Sequence, residues 1–178
     1  YEFFRKNQKF IIQKRKFTLS DRTINPNISD RYYQAEAINK VLDAFSSRKS
    51  RSLIVLATGT GKTRVSCSLS DLFIRNNFVK RILFLADRRN LVKQAKEECF
   101  DRFLPSVPTS IILEGKREDN ESKARVVFST YQSMLSIIKD MSKNPYSVGY
   151  FDLIIVDEAH RSLFNKYGEI FDYFDAMM

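Results

Sequence analysis

Ser52-Leu53-Ile54-Val55-Leu56-Ala57-Thr58-Gly59-Thr60-Gly61-Lys62-Thr63 is the stretch that decides the fold of this chain. It begins as an unbroken apolar run of strand length, 52–57, passes through two glycines and enters a segment whose spacing predicts a helix over 61–76. An apolar run without alternation suits a strand covered on both faces. The same grammar repeats downstream: a strand over 81–86, a helix over 90–103, a strand over 125–129 followed by a helix through 138, and a strand over 151–156. Upstream, Ser29-Asp30 reads as an N-cap. Beyond it Ala35, Ala37, Ile38, Val41, Leu42 and Phe45 recur at helical spacing, which predicts a helix over 31–47. Residues 109–113 offer one more strand and 114–122 a charged loop. Short apolar strands alternating with helices indicate an α/β fold, with a mainly parallel sheet covered on both sides.

The chain has 178 residues, of which 43% are hydrophobic, so one domain with one core is expected. Thirty Lys and Arg against 21 Asp and Glu leave a net charge of +9, which favours polyanionic partners such as nucleic acid and is equally that of a soluble basic protein. Cys67 and Cys99 are the only cysteines, too far apart for a zinc pattern, and read as buried thiols in a reducing cytoplasm. No apolar run approaches the roughly 18 residues of a membrane span. The first residue is Tyr1, so the chain is expected to be a piece of something longer. Residues 1–28 mix Arg5, Lys6, Lys9, Lys14, Arg15 and Lys16 with Phe3, Phe4, Phe10 and Phe17. They are expected to form a basic linker or N-terminal extension, either packed on the domain or able to stack on a single strand.

The turn between strand and helix carries the chemistry. Gly59 and Gly61 let the backbone curl so that N–H groups of Thr58, Gly59, Thr60 and Gly61 face inward, and the helix N-terminus adds positive charge. Lys62 then reaches the β- and γ-phosphates of a nucleotide, and the Thr63 hydroxyl ligates Mg²⁺. The general pattern has glycine five residues before Gly61, where this chain has Leu56; its working core is intact. An acidic partner is required, and the strand over 151–156 ends on Asp157-Glu158-Ala159-His160. Ligand sites lie at the carboxyl ends of parallel strands, so the loop and the acids converge. Asp157 holds the metal and Glu158 polarises the attacking water. A solvated helix start accounts for Asp157-Glu158 equally well when the pair is considered alone.

Thr-Gly-Thr-Gly-Lys-Thr followed by Asp-Glu-Ala-His resembles the superfamily-2 helicases and translocases. The resemblance extends from about residue 30 to 164 and implies a RecA-like three-layer fold of the P-loop NTPase kind. It gives Arg31-Tyr32-Tyr33-Gln34 an adenine-reading role carried by Arg31 and Gln34, since an amide both donates to and accepts from the adenine edge. Arg88, in Leu-Ala-Asp-Arg, and Thr130, in Phe-Ser-Thr-Tyr-Gln, become contacts to nucleic-acid phosphates, although surface charge and helix capping explain these two residues as readily. His160, the only histidine, takes a coupling role. Within the superfamily, Leu-Ala-Asp-Arg with Leu-Val-x-Gln, and Asp-Glu-Ala-His-Arg-Ser, look most like the motor (R) subunit of type I restriction enzymes. That likeness implies ATP and Mg²⁺, double-stranded DNA as the track, and the remaining R-subunit domains plus specificity and methylation subunits as partners. Residues 29–178 would be the first RecA-like domain, with the second motor domain and its arginine finger outside this chain, and the isolated piece would turn over ATP negligibly.

Three other readings compete. A metabolite kinase also uses a phosphate loop, but the Asp-Glu-Ala-His tetrad and the positive charge oppose it. A GTPase needs Asn-Lys-x-Asp, which neither Asn39-Lys40 nor Asn165-Lys166 supplies. A basic nucleic-acid-binding module with a vestigial site conflicts with intact Lys62, Thr63, Asp157 and Glu158. Glu114-Gly115-Lys116 imitates half of a nuclease site, yet lacks the earlier Asp on a paired strand.

Overall fold

The computed structural model describes residues 19–114, 116–117, 121–140, 144–159 and 163–178. Its elements in chain order are α1 (Tyr32–Ser46), α2 (Lys62–Arg75), β1 (Ile82–Ala86), α3 (Arg89–Gln94), a π-helical turn (Ala95–Phe100), α4 (Asp101–Phe103), β2 (Thr109–Leu113), β3 (Lys116–Arg117), a 3-10 turn (Glu121–Lys123), β4 (Val126–Thr130), α5 (Tyr131–Lys139), β5 (Leu153–Val156) and α6 (Leu163–Tyr173). The sheet order is β3-β2-β4-β1-β5. Among the described residues only the β2–β3 pairing is antiparallel; β2–β4, β4–β1 and β1–β5 are parallel. Successive strand residues point to opposite faces, and every residue of β1 and β4 is buried, so the sheet separates two cores. Phe84 and Phe128 enter the core beneath α1 and α2, whereas Leu83 and Leu85 enter the one beneath α5 and α6. Two helical layers around a mainly parallel sheet form the three-layer α/β architecture expected from the sequence.

The core on the α1/α2 side is keyed by three rings. Phe100 meets Phe128 edge-on at 5.0 Å and Phe84 at 6.0 Å, and Phe84 lies 5.3 Å from Phe128. The helix predicted over 90–103 is interrupted by the π-helical turn, which carries the buried residues Cys99 and Phe100. Cys67 and Cys99 are both buried thiols. The Cys67 Sγ donates to the Cys99 carbonyl at 3.9 Å, and proximity to Cys99 together with burial pushes the Cys67 thiol well above its usual pKa.

Several sequence expectations are corrected. The N-cap of α1 is Arg31, not Ser29-Asp30, and its side chain makes no cap bond. Ser29 instead shares a hydrogen bond with the Ser68 hydroxyl at 2.8 Å, and Asp30 pairs with Arg64 at 3.6 Å. The expected charged loop 114–122 contains β3 and a 3-10 turn, and α6 lies in a stretch whose sequence carried no helix prediction. Of the expected basic linker or extension, residues 1–18 lie outside the described residues. Leu19 and Ile28 join the core beneath α1 and α2, and Arg22 reaches Asp43 on α1 at 3.1 Å.

The largest correction concerns 52–57, which forms no strand. It keeps the strand's side-chain alternation. Ile54 and Leu56 pack on the core, while Leu53 and Val55 are 77% and 83% exposed. A β-strand is defined by lateral hydrogen bonds. Here a cavity of about 660 Å³, lined by both 51–56 and β5, separates the segment from the sheet edge.

Candidate functional site

The glycine turn begins α2 as expected. Gly59 and Gly61 both take positive φ, +78° and +86°, and Gly61 is the N-cap. Thr60 closes the turn, with its N–H 3.4 Å and its hydroxyl 2.6 Å from the Ala57 carbonyl. Lys62 folds back so that Nζ donates to the Leu56 carbonyl at 3.1 Å, a bond made to the backbone of the position where the general pattern has glycine. This lysine, Asp157 and Glu158 line the same cavity. A second, smaller cavity of about 270 Å³ is lined by Gly61, Thr63 and Asp157. The structure thus gathers the loop and the acidic pair across 95 residues of sequence (62 to 157), at the carboxyl ends of their segments.

Gln34 braces the loop from beneath. Its Nε2 donates to the Thr60 carbonyl at 2.8 Å, while its Oε1 is buried and has no hydrogen-bond partner. An orphaned buried acceptor costs about 1–3 kcal/mol, so the site keeps capacity for one more donor. Arg31 bonds the Tyr33 hydroxyl at 2.6 Å, and that hydroxyl lies 3.4 Å from the Thr60 carbonyl. The adenine-reading candidates are therefore attached to the phosphate loop itself. The packing around the two glycines is unequal. A Cβ at Gly61 would stand 2.6 Å from Gln34 Nε2, whereas one at Gly59 would meet nothing within 4 Å. Gly59→Ala should cost only the left-handed backbone term, about 1–2 kcal/mol, and Gly61→Ala that term plus the Gln34–Thr60 hydrogen bond, because the Gln34 amide must swing aside. Thermal unfolding of the two variants side by side checks the order.

On the acidic side, the Asp157 N–H donates to the Leu85 carbonyl at 2.8 Å and the Glu158 N–H to Asp157 Oδ1 at 3.0 Å. Glu158 has φ +58°, in the left-handed region that a non-glycine side chain enters at a cost, and such strain concentrates at functional sites. A residue given no role by sequence fixes this turn: the Tyr131 hydroxyl donates to the Asp157 carbonyl at 2.8 Å. Burial, followed by the charges of Asp157, Asp87 and Glu158, pushes the Tyr131 pKa well above its usual value, so the hydroxyl stays a donor. The motif Phe128-Ser129-Thr130-Tyr131-Gln132 contained the signal, but the contact spans 26 residues (131 to 157) and leaves no periodicity to read.

The remaining candidates separate. Arg88 is exposed at the N-cap of α3. Thr130 is 5% exposed; its Oγ1 accepts from the Ser133 N–H at 3.2 Å and bonds the Ser133 hydroxyl at 2.8 Å. Thr130 thus serves as the N-cap of α5. His160 lies outside the described residues. Glu114 pairs with Arg89, so the carboxylate of the nuclease-like tripeptide faces a guanidinium. Among the described residues no helix is long and apolar enough to cross a membrane.

Residues 27–178 match the family described as type III restriction enzyme, res subunit. The endonuclease subunit of the type I restriction enzyme EcoAI from Escherichia coli is 36% identical over 152 residues, covering 83% of this chain and 18% of that protein. The EcoKI endonuclease subunit of the same species is 32% identical, covering 86% of this chain and 15% of that protein. A putative ATP-dependent helicase, IRC3 of Saccharomyces cerevisiae, is 30% identical, covering 82% and 21%. This chain therefore spans about a fifth or less of the curated relatives it matches. Among solved structures, a nuclease-deletion mutant of the type ISP restriction-modification enzyme LlaGI, in complex with a DNA substrate mimic, superposes with a TM-score of 0.64 at 26% identity, covering 83% of this chain and 16% of that one.

Proposed function

The chain belongs to the family described as type III restriction enzyme, res subunit, and from that premise we propose that it is the ATP-binding first motor domain of a DNA translocase of the type I restriction kind. Residues 29–178 form the motor domain in this proposal and residues 1–28 its extension. One observation carries it: Lys62, Asp157 and Glu158 line a single cavity. Double-stranded DNA is the proposed track. The other R-subunit domains and the specificity and methylation subunits are the proposed partners, and the cytoplasm the compartment.

The residues fit a nucleotide with Mg²⁺. The Gly59 position leaves a cradle open, and Gln34 Oε1 lacks a donor. Bound Mg·ATP would supply the transferable γ-phosphoryl group and the positive charge that offsets its oxygens. Backbone N–H groups of Thr58 to Gly61 would hold the phosphates, and Lys62 would leave the Leu56 carbonyl to reach them. Thr63 and Asp157 would hold the metal. Glu158 would orient the attacking water and accept its proton. Arg88, at the exposed start of α3, would meet a backbone phosphate.

Mg·ATP is expected to bind the 178-residue chain weakly and without appreciable turnover, because an arginine from a second motor domain is needed for catalysis. Titration with a fluorescent ATP analogue should show that binding and its disappearance in Lys62→Ala. Equal binding by the variant, or full turnover by the chain alone, would overturn the assignment.

A further inference from the structure

The phosphate loop and the acidic turn lie at the carboxyl ends of the strands, and the amino ends form a separate face. β1 has five residues, so this face stands about 16 Å from the candidate site along the strand direction. Backbone hydrogen bonds trace it across the domain. The Ile82 N–H donates to the Arg125 carbonyl at 2.9 Å and the Asp152 N–H to the Arg81 carbonyl at 2.9 Å; the Met177 N–H donates to the Asp152 carbonyl at 3.0 Å and the Met178 N–H to the Ser50 carbonyl at 2.9 Å. Four lateral steps of about 4.8 Å make a row of about 19 Å. Lys123 and Arg125 lie at one end of it, Lys80 and Arg81 come next, and Lys49 and Arg51 lie at the other end.

The carboxylates nearby are engaged elsewhere. Asp152 Oδ2 accepts from the Lys80 and Arg81 N–H groups at 2.7 and 3.1 Å, and Glu121 is buried against the Tyr146 hydroxyl. Beside the last turns of α1 and α2, Asp43 pairs with Arg22, and Asp21 and Asp71 pair with Arg75. Among the described residues none of the cations named along the row forms a salt bridge. Two of them are held by other means. Arg125 donates Nε to the Lys80 carbonyl at 2.6 Å and Nη2 to the Val79 carbonyl at 3.0 Å, which fixes the guanidinium and leaves Nη1 with its donors for a ligand. Arg81 sits over the Tyr150 ring, 4.5 Å from its centre, a contact that holds the side chain without a counter-anion.

A guanidinium anchored by carbonyls, with donors left over, is pre-organised for a phosphate, whose oxygens match its planar fork. A row of cations without counter-charges suits an extended polyanion. A protein partner would need an apolar centre to bury, and this face supplies none. The exposed large hydrophobic side chains among the described residues are Tyr32, at the start of α1, and Leu53 and Val55, on the wall of the larger cavity. We propose that the amino-end face of the sheet binds the backbone phosphates of a nucleic-acid duplex, as a second, sequence-independent contact remote from the phosphate loop and from Arg88. The assignment stands on charge and geometry at the opposite end of the domain and does not depend on the nucleotide reading.

Fluorescence anisotropy of a labelled duplex of roughly 20 base pairs, titrated with the 178-residue chain between about 50 and 200 mM salt, tests it. Each phosphate contact adds about 0.9 to the slope of log affinity against log salt. Lys49→Glu with Lys80→Glu should weaken binding about tenfold or more at the lower salt and flatten that slope by about two. Arg125→Gln alone should flatten it by about one. Lys40→Glu with Lys166→Glu, at exposed positions of α1 and α6, makes the same change in net charge away from this face and should weaken binding by less than about threefold. Equal losses in the two double variants would reduce the effect to overall charge and overturn the proposal, as would unchanged binding in the first. A polyglutamate peptide that displaces the duplex at equal concentration of charge would also overturn it, by making the face a seat for an acidic protein.

Discussion

Replacing Glu158 with Gln in the longest natural polypeptide that carries this chain is expected to cut DNA-stimulated ATP turnover by roughly 100-fold or more while nucleotide binding persists. The two side chains are almost isosteric, so the cavity shared with Lys62 and Asp157 keeps its shape. The Glu158 backbone keeps its bond to Asp157 Oδ1, and Tyr131 still anchors the turn through the Asp157 carbonyl. What disappears is the carboxylate proposed to take a proton from water. General-base groups supply about 10²- to 10⁴-fold of a rate, and the lower end is expected where bound phosphates also polarise the nucleophile. Steady-state ATPase assays with saturating DNA, paired with ATP-analogue titration, separate the effects. A loss of less than about tenfold would remove Glu158 from the chemical step, and a parallel loss of binding would make it a ligand instead.

Phe128→Ala has the largest expected effect on stability. Phe128 is fully buried at the centre of β4 and touches Phe84 and Phe100 from the neighbouring strand and the π-helical turn. Emptying this position removes the ring's burial and leaves a void beneath rings that can relax only partly. Changes of this kind cost about 3–5 kcal/mol. Against a total stability of about 5–15 kcal/mol, much of the folded population is at risk on modest warming. Urea unfolding monitored by circular dichroism should show a midpoint shift of that size. Phe103→Ala, on a side chain only partly buried at the margin of the same core, should cost distinctly less.

How far these features can be read in advance depends on the range of the forces that create them. The glycine turn and the tetrad at 157–160 are local patterns, and the parallel sheet follows from apolar runs spaced by helices. The helix over 90–103 is legible as a helix, but its π-helical turn is not, because one extra residue shifts phase without changing composition. Residues 52–57 have the composition of a buried strand, yet strand formation needs neighbours that the local sequence does not specify. Ser29 resembles a helix cap and is taken instead by Ser68, a partner 39 residues away. Thr130 reads as a possible helix cap from sequence, and Ser133 one turn on completes that cap. Tyr131 belongs to a legible motif, but its bond to the Asp157 carbonyl depends on the two strand ends meeting in space.

The two thiols carry a practical consequence. Cys67 and Cys99 are the whole cysteine complement of the chain, and both lie inside the protein. An alkylating dye therefore meets no ready thiolate on the folded surface. A single cysteine introduced at Val55, which is 83% exposed, would be the one fast-labelling position without any prior mutagenesis of the native pair. A fluorophore there would sit on the wall of the cavity that Lys62 and Glu158 also line, and its emission would provide an optical gauge of how wet that wall is.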